Sequence, residues 1–175
     1  IFAPLAVTHQ TVLEAQEKLD MTIQYVRNQE DMRERVCITN YDLLEHFVGV
    51  RDVQGIVLDE SACLKGITSK RRNLLFEHFT HIPYRLCCTA MPSPNDNAEM
   101  AMHSEFLGVL KRTDVLATFF VHDQDGWRLR GHAKESYYRW LASWAMGFRS
   151  PEDLGYDGSA FILPPLAIKE HFLEW

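Results

Sequence analysis

Gly55-Ile56-Val57-Leu58-Asp59-Glu60-Ser61 is the stretch whose reading decides the fold. A short apolar run rich in β-branched residues, closed by polar ones, reads as a strand buried on both faces of a parallel sheet. Asp59 and Glu60 then stand at its carboxyl end, and ligands of open α/β sheets bind outside that edge. In a chemical reading, Asp59 holds a hydrated Mg²⁺ and Glu60 orients or deprotonates an attacking water. In a plain one, a buried strand simply ends in something polar. The flanking sequence has to choose between them.

On the amino-terminal side, Ile1 to Ala3 reads as a strand stopped by Pro4. A helix is expected from near Thr8 as N-cap, with Val12, Ala15 and Leu19 on one apolar face. Thr22 to Val26 is a second strand. Arg27 to Arg35 is a charged loop or an exposed turn of helix. Val36-Cys37-Ile38-Thr39 is a third strand, and Asn40 caps a helix that turns Leu43, Leu44 and Phe47 inward. On the carboxyl-terminal side, Thr68 or Ser69 caps a helix carrying Leu75 and Phe79. Its first turn holds Lys70, Arg71 and Arg72, where cations oppose the helix dipole. They are either a solvated face with local ion pairs or a contact for phosphate. Tyr84 to Ala90 is the next apolar strand, and Met91-Pro92-Ser93-Pro94-Asn95-Asp96 is a turn-forming string. Up to this point strand and helix alternate, which predicts βαβ units and a mostly parallel sheet with right-handed crossovers.

The character changes after residue 98. Met100 to Leu110 and Arg112 to Phe120 read as helices, and Trp127 to Arg130 as a short strand or ribbon. His132 to Phe148 is the longest helical pattern, with Tyr137, Trp140, Leu141, Trp144 and Phe148 sharing one core-facing stripe. Ser150 to Ser159 reads as a polar linker. Phe161 to Trp175 is strand-like around Leu163-Pro164-Pro165.

An apolar fraction of 46% over 175 residues is enough to bury a core, and a formal charge of −6 excludes a globally basic nucleic-acid binder while leaving room for a local basic face. No apolar run approaches the roughly 18 residues of a membrane helix. The start has no basic leader region, and both ends fall inside apolar runs, so the chain reads as a piece of a longer polypeptide. Cys37, Cys63, Cys87 and Cys88 form no C-x-x-C pair, which points to reduced thiols rather than zinc or disulfides. The histidine pairs His78/His81 and His122/His132 have no spacing that converges on a metal.

Several strand ends thus carry polar strings on one predicted sheet edge, and in that order the chain resembles the first motor lobe of superfamily-two helicases. Within them it is most similar to the Swi/Snf-type, DEAD/DEAH-box-related DNA translocases, especially phage-borne members. Ala3-Pro4-Leu5 looks like motif Ia, Ile38-Thr39-Asn40-Tyr41 like motif Ib, Val57-Leu58-Asp59-Glu60-Ser61 like motif II (Walker B) and Thr89-Ala90-Met91-Pro92-Ser93-Pro94-Asn95 like motif III. Leu64-Lys65 and Ser69-Lys70 match the stretch after motif II. Phe148-Arg149-Ser150-Pro151-Glu152-Asp153-Leu154 and Leu163-Pro164-Pro165 resemble the approach to the second lobe.

The resemblance implies an α/β, RecA-like P-loop NTPase lobe that lacks its P-loop strand and is followed by a helical extension. Residues 1–98 would be the partial ATP-binding lobe, 99–149 the extension, and 150–175 a linker and first strand leading to the second lobe. ATP and Mg²⁺ would be the cofactors, with Asp59 on the ion through water and Glu60 on the hydrolytic water. Thr89 and Ala90 would couple nucleotide to DNA. Pro4, Leu5, Thr39, Asn40, Lys70, Arg71 and Arg72 would meet the DNA backbone, giving sequence-independent, salt-sensitive binding. The second RecA-like lobe of the same polypeptide would be a partner, and the setting would be the cytoplasm of a bacterial or phage-infected cell.

The sequence also departs from the pattern. No G-x-x-x-x-G-K-[ST] P-loop occurs in it, so these residues alone are expected not to hydrolyse ATP. Met91 stands where the family usually has a hydroxyl, and Ala62 where many members have histidine. A non-catalytic DNA-binding or interaction module derived from such a lobe is the alternative. A Mg²⁺-dependent nuclease or phosphatase is a third reading, weakened because adjacent carboxylates point to opposite sides of a strand.

Overall fold

The computed structural model describes residues 1–65, 69–93, 96–124 and 126–169. Thr68, Pro94-Asn95 and Phe172 to Trp175, which carry expectations above, lie outside them. The chain divides into two compact units, Ile1–Tyr137 and Tyr138–Trp175.

The first unit is α/β. Strands β1 (Phe2–Ala3), β2 (Gln24–Tyr25), β3 (Cys37–Asn40), β4 (Gly55–Asp59) and β5 (Tyr84–Cys88) form a five-stranded sheet in the order β2-β3-β1-β4-β5. Every pairing in it is parallel. Side chains alternate across a strand, so Phe2 and Ala3 serve opposite faces. Ala3 and Ile38 pack with Ala15 of helix α1 (Leu5–Leu19) on one face. Phe2, Ile56 and Leu58 face Leu44 and Phe47 of a 3-10 helix (Tyr41–Phe47), Leu75 and Phe79 of α2 (Lys70–Phe79), and Met102 and Phe106 of α3 (Met100–Leu107). The Phe2 ring meets those of Phe47 and Phe79 edge to face, at centroid distances of 5.9 and 5.5 Å.

The β4 strand is covered on one face only. Ile56 and Leu58 are buried, but Val57 is half-exposed, and on the same side its neighbours in β5, Tyr84 and Leu86, are 73% and 54% exposed. The expectation of burial on both faces therefore fails: α1 spans the β2-β3-β1 half and leaves this half open. Helix α1 begins at Leu5 rather than Thr8, because Pro4 is the boundary residue and the Thr8 hydroxyl donates inside the helix to Leu5 O at 2.9 Å. Leu19, expected on the inner face, is exposed.

Beyond the sheet, α3 leads into α4 (Arg112–Phe119), then an antiparallel ribbon of β6 (Phe120–Asp123) and β7 (Gly126–Leu129), then α5 (Lys134–Ala142). Phe120 was expected to end a helix. It opens β6 instead, fully buried and edge-on to the Tyr137 ring at 5.5 Å. The long helix expected to reach Phe148 ends at Ala142. There the Ser143 hydroxyl bonds back to Trp140 O at 2.6 Å, a local bond that competes with helix continuation. Of its aromatic stripe, Tyr137 is core and Phe148 is exposed.

One side chain ties the layers together. Arg85 of β5 donates to Thr80 O at the end of α2 and to Leu107 O at the end of α3, the latter at 3.1 Å. A cation suits both helix C-termini. Gly108 follows α3 with φ 77°, the left-handed cap that glycine supplies most cheaply.

In the second unit a 3-10 helix (Pro151–Leu154) opens on a Ser150/Asp153 capping box. Residues 162–169 form no strand, although one was expected from Phe161 onward. Pro164 and Pro165 remove two backbone donors there. Among the described residues no helix is long and apolar enough to cross a membrane.

Candidate functional site

Because β1, β3, β4 and β5 run parallel, their carboxyl ends share one edge. That edge carries Pro4-Leu5, Asn40-Tyr41, Asp59-Glu60 and Thr89. A cleft of ≈ 330 Å³ there is lined by Pro4, Leu5, Tyr41, Asp42, Glu60, Cys63 and Arg71.

Asp59 ends β4 half-buried and accepts the Glu60 N–H on Oδ1 at 3.1 Å. Its carbonyl accepts the Tyr41 hydroxyl at 2.7 Å. Burial pushes the Tyr41 phenol far above its ordinary pKa, so it remains a donor. Glu60 is exposed and sits in the left-handed region at φ 52°, ψ 54°. The Thr89 hydroxyl faces the Glu60 carboxylate, with Oγ1 3.5 Å from Oε2, and accepts the Met91 N–H at 3.2 Å. Ala90 is exposed and contributes no polar group. Lys65 donates to Met91 O, joining the turn after β4 to the loop after β5.

Among the described residues no group of three or more His, Cys, Asp or Glu side chains could hold a metal. A magnesium ion bound through one carboxylate, keeping most of its water, needs no such cluster. Asp59 at the open end of β4 fits that mode.

The cations expected at DNA are engaged with the protein. Lys70 pairs with Glu45 at 2.5 Å, and Arg71 pairs with Asp42. Arg72 reaches Asn73 at 3.0 Å and lies 4.4 Å over the Phe76 ring. The Lys70 and Arg71 pairs are exposed, so each holds little free energy. Both readings of this turn, ion pairs and phosphate contact, thus remain physically compatible.

Thr39 and Asn40 are placed differently from the expectation. Both are buried, at 3% and 5% exposure. Asn40 caps the following 3-10 helix through Asp42 N at 2.9 Å, and its amide donates to Tyr25 Oη at 3.1 Å. Thr39 borders an apolar cavity of ≈ 50 Å³, and its hydroxyl has no partner. Both side chains thus face into the protein, and the cap engages the Asn40 side chain at the end of β3. Thr39→Val removes an unsatisfied hydroxyl and should stabilise the fold by about 1 kcal/mol. The gain is read as a higher urea midpoint at unchanged slope. A variant that gave no such gain would mean that the Thr39 hydroxyl has a partner.

Compared with protein-family models, with curated proteins and with solved structures, the chain matches none.

The sequence reading did not single out His103. On α3 it is 3% exposed, and its Nε2 lies 3.1 Å from Oγ of the fully buried Ser61. Burial pushes the imidazole pKa down, with Lys65 acting in the same direction. Its only signal is a polar residue inside Met100-Ala101-Met102-His103, where a core helix would take an apolar one. Burial also pushes the nearby Cys87 thiol up to about 12 and raises Cys63, favouring the protonated form of both.

Proposed function

We propose that this chain is part of an ATP-driven DNA helicase or translocase of superfamily two, Swi/Snf-type, and that its sheet belongs to the first RecA-like lobe. The observation that carries the reading is the shared strand edge. Four parallel strand ends bring Pro4-Leu5, Tyr41, Asp59-Glu60 and Thr89 together, with the Thr89 hydroxyl facing the Glu60 carboxylate at 3.5 Å. Ligands of such sheets bind at that edge.

Asp59 is the residue that would hold Mg²⁺ through water, and Glu60 orients the water that attacks the terminal phosphate of ATP. Bound Mg²⁺ supplies neutralisation of charge on the phosphate oxygens. Thr89, reaching from β5 to Glu60, passes the state of the nucleotide to the next strand. Pro4 and Leu5 border the DNA path, and Lys70 and Arg71 exchange their exposed carboxylate partners for phosphates. On this reading the phosphate cradle and the second RecA-like lobe are supplied by the same polypeptide outside these residues, in the cytoplasm of a bacterial or phage-infected cell.

The test is ATP hydrolysis by the full-length protein with and without DNA. Turnover should require DNA and Mg²⁺ and should fall as salt rises, because phosphate contacts release counterions. Hydrolysis indifferent to DNA, or none, overturns the reading. DNA binding without hydrolysis selects a non-catalytic module instead, which Met91 and Ala62, both exposed and lacking the polar groups of the pattern, would favour.

A further inference from the structure

The hydrolysis reading leaves the buried contact between Ser61 and His103 without a role. Ser61 Oγ and His103 Nε2 lie 3.1 Å apart across 42 residues of sequence, with both side chains out of solvent. The His103 ring also lies close enough to the Glu99 backbone for a hydrogen bond to raise its pKa against the effect of burial. Burying an imidazole costs free energy relative to a leucine of similar size, so its side-chain bond to Ser61 is the reason to ask what it holds.

It holds the residue after Glu60. A left-handed backbone at a non-glycine residue is a strained state that persists only where its surroundings fix it. Two bonds hold Glu60 itself, its N–H to Asp59 Oδ1 at 3.1 Å and Thr89 Oγ1 to its carboxylate at 3.5 Å, and a third, Ser61 to His103, holds the next residue. The first two are exposed to water, whereas the third is buried. His103 is itself held firmly, since the C-terminus of α3 is clamped by Arg85 and the Ser104 hydroxyl both accepts from and donates to the Leu110 backbone, at 3.1 and 2.9 Å.

We infer that His103 is a positioning residue for Glu60: through Ser61 it fixes the turn that aims the Glu60 carboxylate, and so joins α3 to the hydrolytic site. The inference rests on the ATP-hydrolysis reading above.

The experiment compares wild type, Glu60→Gln, His103→Leu, His103→Gln and Ser61→Ala in the full-length protein, reading kcat, KM for ATP at saturating DNA, and the thermal midpoint. His103→Leu should fill the space but lose the bond, lowering kcat about 10- to 100-fold with KM nearly unchanged. Ser61→Ala should match it and carries the test if the leucine variant does not fold. His103→Gln, whose amide can reach Ser61 from near the Nε2 position, should recover most of kcat. Unchanged kcat in His103→Leu and Ser61→Ala, beside a dead Glu60→Gln, overturns the positioning role and leaves the hydrolysis reading standing. Equal losses in the leucine and glutamine variants also overturn it, as a packing effect. A wild-type protein without DNA-stimulated hydrolysis overturns both.

Discussion

On the helicase proposal, Glu60→Gln in the full-length protein is expected to lower DNA-stimulated ATP turnover about 100- to 10,000-fold, the usual contribution of a group that handles the proton of an attacking water. The substitution is unusually clean here. Glutamine keeps the length of the side chain and an acceptor for the Thr89 hydroxyl. It does not disturb the core, because Glu60 is exposed. Stability should therefore stay within about 0.5 kcal/mol of the parent, and nucleotide and DNA binding should persist. Phosphate release, with a thermal melt as control, checks both halves of the statement. Turnover at the parental rate would remove Glu60 from the mechanism.

Arg85→Met is expected to cost about 3 kcal/mol of folding stability. The arginine makes two charge-assisted bonds to helix-terminal carbonyls, Thr80 O and Leu107 O, each worth about 1.5 kcal/mol or more. Methionine keeps much of the packing volume and loses both. Gly108 supplies a cross-check. At its φ of 77° an alanine is strained, and its Cβ would lie 2.5 Å from Arg85 Nη2. Gly108→Ala alone should cost about 1–2 kcal/mol from the backbone, plus the displacement of the guanidinium from Leu107 O. In the Arg85→Met background that second part is gone, so the double variant should lose less than the sum of the singles. Strict additivity in urea titrations would mean that the guanidinium is not held against α3.

The sequence makes β4 and the parallel alternation easy to see, because a short apolar run closed by carboxylates has one period and one boundary. The helix over 70–79 is equally legible, and Ser69 caps it through Arg72 N at 3.1 Å. What could not be read are features set by distant partners. β6 begins at Phe120 because a Tyr137 ring awaits it, and nothing within Arg112 to Phe120 signals that. The open half of the β4–β5 face is invisible to a pattern that only says "apolar". Thr39 looked like a surface contact because the motif around it suggested one, whereas its burial depends on how β3 sits between β1 and β2. Asp59 and Glu60 could be singled out together from sequence because they are adjacent at the end of one apolar run. His103 could not, because 42 residues separate it from Ser61 and a buried hydrogen bond leaves no periodicity.

The left-handed turn at Glu60 also sets what selection can do at this position. Glycine would be the most comfortable occupant, asparagine and aspartate next, and branched side chains the least. A chain optimised for folding alone would drift towards glycine and shed the carboxylate. On the ATP-hydrolysis proposal, folding and chemistry therefore rank the amino acids at position 60 in conflicting orders, and only the chemistry asks for a glutamate there.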